Sequence, residues 1–244
     1  MPGLRTAAAL AWPLLPHGTR GKNFLRHVAK DAGGRYLDSI TLFQPDERSV
    51  LYADGARAAL AARAEATLWR HFERFAALPH DSRMMRFDFE TYLPEDVLTK
   101  VDRMSMAHSI ETRVPLLDNR VIDYAAALPS RLKIRDGRRK HVLKEAVRPL
   151  LPAGILDRRK QGFGIPLGTW FRGGLTGLFS DVLESPRARQ RGYFEPSFVS
   201  RLVREHLAGQ RDHTLRLWQL TVFELWHRQY LDIAAVGSPT AHVV

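Results

Sequence analysis

The chain contains no cysteine among its 244 residues. Without thiols it can form neither a disulfide nor a zinc site with thiolate ligands, and no cysteine can act as a catalytic nucleophile. Histidine does not offer a replacement metal site, because none of the ten histidines is followed by another four residues later, the spacing of the HxxxH and HExxH motifs. The sequence therefore predicts no transition metal bound by protein side chains.

Long hydrophobic runs are also absent. No stretch approaches the roughly 18 consecutive apolar residues that a membrane-spanning helix needs. The apolar N-terminal stretch, residues 7–16, is interrupted by Pro13 and Pro16 and has no small-residue cleavage pattern after it, so it is a poor match for a signal peptide. We therefore expect a cytoplasmic protein without a membrane partner.

Basic residues outnumber acidic ones and are concentrated in one place. The chain carries 37 Lys and Arg against 26 Asp and Glu, a formal net charge of +11. Residues 131–160 alone carry a net charge of +8, which predicts an anionic partner: nucleic acid, a membrane surface or a phosphorylated substrate. Against nucleic acid, no Phe, Tyr or Trp lies among the cations of 131–148, and no zinc-finger or helix-turn-helix signature is visible. A solvated basic surface is the remaining interpretation.

Hydrophobic periodicity predicts a mostly α-helical fold. Residues 1–35 are expected to be irregular apart from a short helix near 22–30, and 233–244 to form a loose tail. No run of alternating β-branched residues indicates a strand. Apolar residues surround the last predicted helix on most sides, so we expect it to be buried. The predicted helices cover residues 55–78, 94–108, 118–125, 138–151, 196–208 and 213–230.

One candidate site lies in the segment 92–118, where the predicted helix breaks after His108. Glu111 and Arg113 are two residues apart, and Pro115 forces the residue before it into an extended conformation. Side chains two apart on extended backbone point to the same side. This spacing suits a local ion pair or a cleft that orients a zwitterionic substrate, and the alternative is a buried structural salt bridge.

A second candidate site lies at residues 157–171. Three consecutive cations end at Lys160 and lead into a glycine-containing loop that begins with Gly162. A mobile loop that presents a lysine can neutralise the charge that develops on a leaving pyrophosphate. A solvated turn between two helices is the alternative interpretation.

The same segments resemble a known protein family. One signature of the glutamine-hydrolysing asparagine synthetases is similar, nearly position for position, to YLPEDVLTKVDRMSMAHSIETRVPLLDNRVIDYAAALP. The next helix and the catalytic lysine loop of that family resemble KHVLKEAVRPLLPAGILDRRKQGFGIPLGTWF, and its C-terminal end resembles GYFEPSFVSRLVREHLAGQRDHTLRLWQLTVFELWHRQYL. The similarity covers about residues 36–232. It divides the chain into an N-terminal segment (1–35), the asparagine synthetase-like lobe (36–232) and a C-terminal tail (233–244).

This resemblance implies a fold and a reaction. The fold is the helical C-terminal lobe of an α/β adenine-nucleotide hydrolase-like (ATP pyrophosphatase) synthetase domain, without its nucleotide-binding sheet. In the family, such a domain uses ATP, with Mg²⁺ bound through the nucleotide, to convert aspartate into an aspartyl-adenylate and release pyrophosphate. Ammonia from a separate glutaminase domain then displaces AMP to give asparagine.

The resemblance also implies roles for individual residues. Glu111 matches the family's active-site glutamate, which would bind substrate or handle protons as ammonia attacks. Lys160 matches the lysine that stabilises negative charge on the phosphates during adenylation. The basic window at 131–160 would then serve ATP and pyrophosphate rather than nucleic acid. The residues expected to support the site are Arg113, Asp102, Arg103 and Gly162.

Two parts of the family pattern are not found in this sequence. It has no cysteine for glutamine hydrolysis, and no Ser-Gly-Gly-x-Asp-Ser loop whose backbone amides could cradle the ATP phosphates. We therefore expect the chain to act with a nucleotide-binding lobe and a glutaminase domain, in cis or in trans, and to be inactive alone. Two alternatives stay open: a related synthetase that adenylates another carboxylate, of the β-lactam-forming or peptide-cyclising type, and a non-catalytic module that binds an anionic partner.

Overall fold

The computed structural model of the chain describes residues 2–15, 19–152, 154–159 and 164–232. These residues are mostly α-helical, as the sequence predicts. They divide into two compact units: the first combines the residues up to Trp69 with those from Gly164 onward, and the second begins at Arg70 and includes the described residues up to 159. None of the helices in these ranges is both long and apolar enough to cross a membrane.

The first unit brings together helices from the two ends of the described chain. The backbone NH of Ala53 donates to the carbonyl oxygen of Tyr193 (3.0 Å), and that of Glu195 donates to Leu51 (2.8 Å), which joins the two sets. The N-terminal set comprises α1 (Pro2–Ala11), a 3₁₀ turn (Trp12–Leu14), α2 (Lys22–Ala29), α3 (Ala32–Ser39), α4 (Pro45–Leu51) and α5 (Asp54–Glu73), whose last turn belongs to the second unit. The C-terminal set comprises α11 (Leu167–Arg172), α12 (Thr176–Val182), α13 (Pro186–Gln190), α14 (Pro196–Leu207), α15 (Thr214–Trp226) and a π-helical turn (His227–Leu231).

An aromatic and aliphatic core holds the first unit together. Phe171 of α11 and Phe179 of α12 are fully buried, and their rings meet edge to face with centroids 4.7 Å apart. Leu217 of α15 is also fully buried in the same cluster. Burial of side chains of this size removes enough apolar surface from water to stabilise each helix by a few kcal/mol, about 1.5–3 kcal/mol per side chain.

The second unit is built from shorter elements. Its core includes the fully buried rings of Phe72 and Phe87, whose centroids are 5.5 Å apart, and the guanidinium of Arg83 lies 3.9 Å above the centroid of Phe72. Its elements are α6 (His80–Glu90), a π-helical segment (Leu93–Leu98), α7 (Thr99–Met106), a 3₁₀ turn (Pro115–Leu117), α8 (Asn119–Ala127), α9 (Ser130–Lys133), β1 (Ile134–Arg135), β2 (Arg138–Arg139), α10 (His141–Val147) and a 3₁₀ turn (Arg148–Leu150).

Most of the predicted helices are present near their predicted positions. The helices α2 and α14 match their predictions within two residues, and α5 begins one residue early but ends at Glu73, five residues short of its prediction. Asp118 caps α8 as predicted, because its carboxylate accepts a hydrogen bond from the backbone NH of Arg120 (2.9 Å). The expectation that residues 1–35 are irregular apart from a helix near 22–30 is wrong, because the alanine-rich stretch forms α1, which packs against α2, and α3 begins at Ala32.

Two further expectations need correction. The helix predicted over 138–151 is shorter, because β1 and β2 form a tight antiparallel hairpin that takes up Arg138 and Arg139 before α10 begins. The last predicted helix is not buried on most sides: in α15, Leu217 and Leu220 are buried, whereas Trp218 and Trp226 are 40% and 47% exposed. Only one face of α15 packs into the core, so the apolar residues of the other face lie at the surface of the unit.

Candidate active site

The first candidate site follows a tight turn at the end of α7. The backbone NH of Ile110 donates to the carbonyl oxygen of Ser105, and that of Ser109 donates to Met106, both at 2.9 Å. These are the two hydrogen bonds of a Schellman motif, which ends a helix with one residue in the left-handed conformation. That residue is Ser109, with a φ of 56°. Glycine is the usual choice at such a position, because any side chain there costs conformational energy.

Beyond this turn, Glu111 and Arg113 form an ion pair at the protein surface. Val114 is extended (φ −113°, ψ 94°) before Pro115, as the sequence predicts. The guanidinium of Arg113 contacts a carboxylate oxygen of Glu111, so the two side chains lie on the same side of the segment. The side chain of Glu111 remains 66% exposed and that of Arg113 83% exposed. The pair is therefore a local surface ion pair, and the alternative of a buried salt bridge is wrong.

Asp102 and Arg103 lie on α7, before the turn. Both are exposed, and within the described residues neither side chain makes a hydrogen bond or an ion pair. Neither therefore forms a hydrogen bond or an ion pair with Glu111 or Arg113 in the described part of the chain. Their supporting role in a site stays a prediction.

The lysine loop lies largely outside the described residues. Lys160 and Gly162 fall in the range 160–163, so their position relative to Glu111 stays a prediction. The backbone leading to the loop is attached to α10, because Lys144 donates to the carbonyl oxygen of Leu156 (2.8 Å). Arg148 adds a weaker contact to Asp157, with 3.8 Å between a guanidinium nitrogen and a carboxylate oxygen.

Several cations of the basic window are engaged with neighbouring groups. Arg148 donates to Glu145 (2.8 Å), and this hydrogen bond holds the pKa of the Glu145 carboxyl below its ordinary value. Lys133 donates to the carbonyl oxygen of Ala126 (3.2 Å). The window is thus a mixed-charge surface and not a continuous basic helix. In the described ranges, no group of three or more His, Asp or Glu side chains is placed to hold a metal ion.

The strained turn gives a first testable prediction. Ser109→Val is expected to lower the free energy of unfolding by about 1–3 kcal/mol, because a β-branched residue is strongly disfavoured at positive φ. Ser109→Gly is the matched control and is expected to leave stability unchanged or raise it by up to about 1 kcal/mol. Urea denaturation of both variants measures the difference. An equal loss in the two variants would show that the left-handed conformation is not what Ser109 contributes.

Most of the chain is similar to known proteins. The family model described as asparagine synthase matches residues 5–228. Asparagine synthetase [glutamine-hydrolyzing] 1 of Bacillus subtilis is 27% identical over 249 residues, which cover 98% of this chain and 37% of that protein. A putative asparagine synthetase [glutamine-hydrolyzing] of Mycobacterium bovis is 33% identical over 231 residues, which cover 91% of this chain and 33% of the relative. The chain thus spans about a third of the length of these relatives. No solved structure matches it significantly.

Proposed function

Because the chain belongs to the asparagine synthase family, we propose that it is the helical part of an enzyme that makes asparagine from aspartate. The proposed reaction joins the side-chain carboxylate of aspartate to AMP, with release of pyrophosphate from ATP. Ammonia then attacks the acyl carbon of the aspartyl-adenylate, and AMP leaves. The observation that carries this proposal is the family match over residues 5–228, within which Glu111 and Arg113 stand exposed on an extended segment.

The Glu111–Arg113 pair suits the recognition of a zwitterion. Aspartate carries a carboxylate, to which a guanidinium can donate two parallel hydrogen bonds. It also carries an ammonium group, which can donate a hydrogen bond to a carboxylate. An exposed ion pair contributes only about 0–1 kcal/mol, so a substrate can replace it at little cost. In this proposal Arg113 orients the substrate, whereas Glu111 binds its ammonium or takes a proton from the attacking ammonia.

This sequence does not contain all the residues that a binding site for ATP and its Mg²⁺ needs. The chain has no Ser-Gly-Gly-x-Asp-Ser loop, and the sheet within the described residues consists of two strands of two residues each. Backbone amides that hold phosphates therefore have to come from another part of the enzyme. We propose that this chain is the helical lobe of an adenine-nucleotide hydrolase-like synthetase domain, in which Lys160 supplies a positive charge, supported by Gly162, to a nucleotide site held by another part of the enzyme.

A nucleotide-binding lobe and a glutaminase domain, in cis or in trans, would complete this enzyme. The length of the relatives supports such a partner, because they are about three times as long as the region they share with this chain. Exposed apolar side chains in the second unit also support it, since surfaces of this kind often mark an interface. They include Met104 (61% exposed), Ile110 (57%), Leu116 (55%) and Tyr124 (65%). We further propose a cytoplasmic location and no membrane or nucleic-acid partner.

A substrate-dependent assay tests this function. AMP and pyrophosphate release from ATP is measured with the chain alone and with the chain mixed with the parts of the Mycobacterium bovis relative that lie outside its matched region. We expect release in the mixture only, dependent on both aspartate and ammonia, and abolished in Glu111→Gln. Release with another carboxylate but not with aspartate would favour a β-lactam-forming or peptide-cyclising relative. No release with any carboxylate would favour a non-catalytic module.

A further inference from the structure

The hairpin of the second unit places two arginines side by side. Arg135 and Arg138 are directly opposite each other in the β1–β2 register, on either side of a two-residue turn. Both turn residues have positive φ, 51° at Asp136 and 74° at Gly137, as in the tight turns that match strand twist. Opposite residues of an antiparallel pair project from the same face, with Cβ atoms about 4.5–5.5 Å apart, and like charges in this position destabilise the pairing.

The two arginines also line one pocket, and neither side chain makes a hydrogen bond to another described residue. The pocket has a volume of about 500 Å³. Arg138 makes no side-chain hydrogen bond within the described ranges, and Arg135 approaches the carboxylate of Asp136 only to 3.9 Å. The other basic side chains are engaged: Lys144 with the backbone at Leu156, and Arg148 with two carboxylates, Glu145 and Asp157. Counted together, the four Lys and Arg side chains of the lining outnumber its three carboxylates, so the net charge of the described lining is positive.

We propose that Arg135 and Arg138 bind a compact, multiply charged phosphate anion such as pyrophosphate in this pocket. Two neighbouring guanidinium groups offer paired N–H donors, the arrangement that phosphate oxygens bind most strongly. The anion also removes the repulsion between the two side chains, so binding and hairpin stability reinforce each other. This site lies on the hairpin and not on the lysine loop, and it holds whether or not the chain makes asparagine.

The lining of the pocket favours a compact anion over nucleic acid. Three carboxylates, of Asp136, Glu145 and Asp157, share the pocket with the arginines and would repel a long polyanion that runs across it. Among the described residues that line the pocket, His141 is the only one with an aromatic ring, so this part of the lining offers bases no Phe, Tyr or Trp to stack on. A small anion instead contacts Arg135 and Arg138 on one face of the hairpin and leaves the ion pairs of Arg148 with Glu145 and Asp157 in place.

Titration calorimetry of the full chain with inorganic pyrophosphate, at constant ionic strength, tests the proposal. The double variant Arg135→Gln/Arg138→Gln is expected to bind about 100-fold more weakly, roughly tenfold for each arginine that no longer donates a charge-assisted hydrogen bond. The double variant Arg63→Gln/Arg204→Gln is the matched control, because it removes the same charge from two exposed arginines outside both the pocket and the basic window. Its affinity is expected to stay within about twofold of the native chain, and an equal loss in the control would overturn the proposal.

Two additional measurements separate binding from folding and from nucleic-acid recognition. Without pyrophosphate, the pocket double variant is expected to unfold at the same temperature as the native chain or a higher one, because the repulsion between the arginines is gone. Arg138→Lys keeps the charge but removes the paired donors, and we expect affinity between those of the native chain and the double variant. Binding of a short single-stranded DNA is measured in the same way. The proposal would be overturned in favour of a nucleic-acid surface if the DNA bound the native chain more tightly than pyrophosphate does and did not bind the pocket double variant.

Discussion

Lys160→Ala is expected to lower the rate of pyrophosphate release by about 10²–10³-fold in the assembled enzyme, that is, in this chain together with a nucleotide-binding lobe. This prediction follows from the proposed adenylation, because negative charge develops on the departing pyrophosphate in the transition state. A lysine placed beside the departing pyrophosphate neutralises that charge as it develops, more than it stabilises bound ATP. The loss should therefore appear mainly in kcat, with a smaller change in the KM for ATP.

The neighbouring cation provides the control for this experiment. Arg159 precedes Lys160 and is exposed, so Arg159→Ala removes the same charge from the same stretch of chain. We expect its rate to fall by less than about tenfold, since an exposed charge acts on the site only through screened electrostatics. Lys160→Arg should recover part of the activity, because the charge remains while its position changes. A similar loss in the Arg159 and Lys160 variants would show that the rate depends on net charge and not on a positioned lysine.

Sequence reasoning described part of the candidate site correctly. The same-side placement of Glu111 and Arg113 followed from Pro115, because proline restricts the residue before it wherever it occurs. The exposure of the pair did not follow, because burial depends on which other segments pack against this one. The left-handed conformation of Ser109 was also not foreseen, since serine gives no local sign of positive φ and the turn is defined by backbone hydrogen bonds. The assignment of Lys160 rests on family resemblance.

The fold shows the same division between local and distant causes. Capping of α8 by Asp118 and the positions of α2 and α14 depend on neighbouring residues, and these predictions are confirmed. The hairpin was missed although Asp136-Gly137 is a strong local turn signal, because helix-favouring arginines and lysines follow it directly. The half-exposed face of α15 could not be foreseen. When apolar residues occur on most sides of a helix, their pattern does not show which side packs against other helices of the same chain.

Arg191→Met is expected to lower the free energy of unfolding by about 3–5 kcal/mol, because it leaves a buried carboxylate without its main partner. Arg191 donates two hydrogen bonds to Glu224 of α15 (2.5 and 3.1 Å) and two to Asp232 (2.9 and 2.5 Å), and its side chain is only 13% exposed. Burial raises the pKa of Glu224, but hydrogen bonds from Arg191 and Arg228 outweigh this effect and bring the pKa below its ordinary value. Hydrogen bonds from Arg191 likewise lower the pKa of Asp232 to about 2.

These lowered pKa values give the prediction a second measurement. A carboxyl whose pKa is lower in the folded state stabilises the fold above its unfolded pKa, and this contribution is lost as the pH falls through the folded value. Urea denaturation of the native chain should therefore show a steady loss of stability from about pH 5 downward, and Arg191→Met should show a smaller loss. Arg187→Met is the control, because Arg187 also forms an ion pair with Asp232 (2.7 Å) but is 55% exposed. Equal effects of the two substitutions would mean that charge pairing at Asp232, and not the buried ion pair with Glu224, joins α13 to α15.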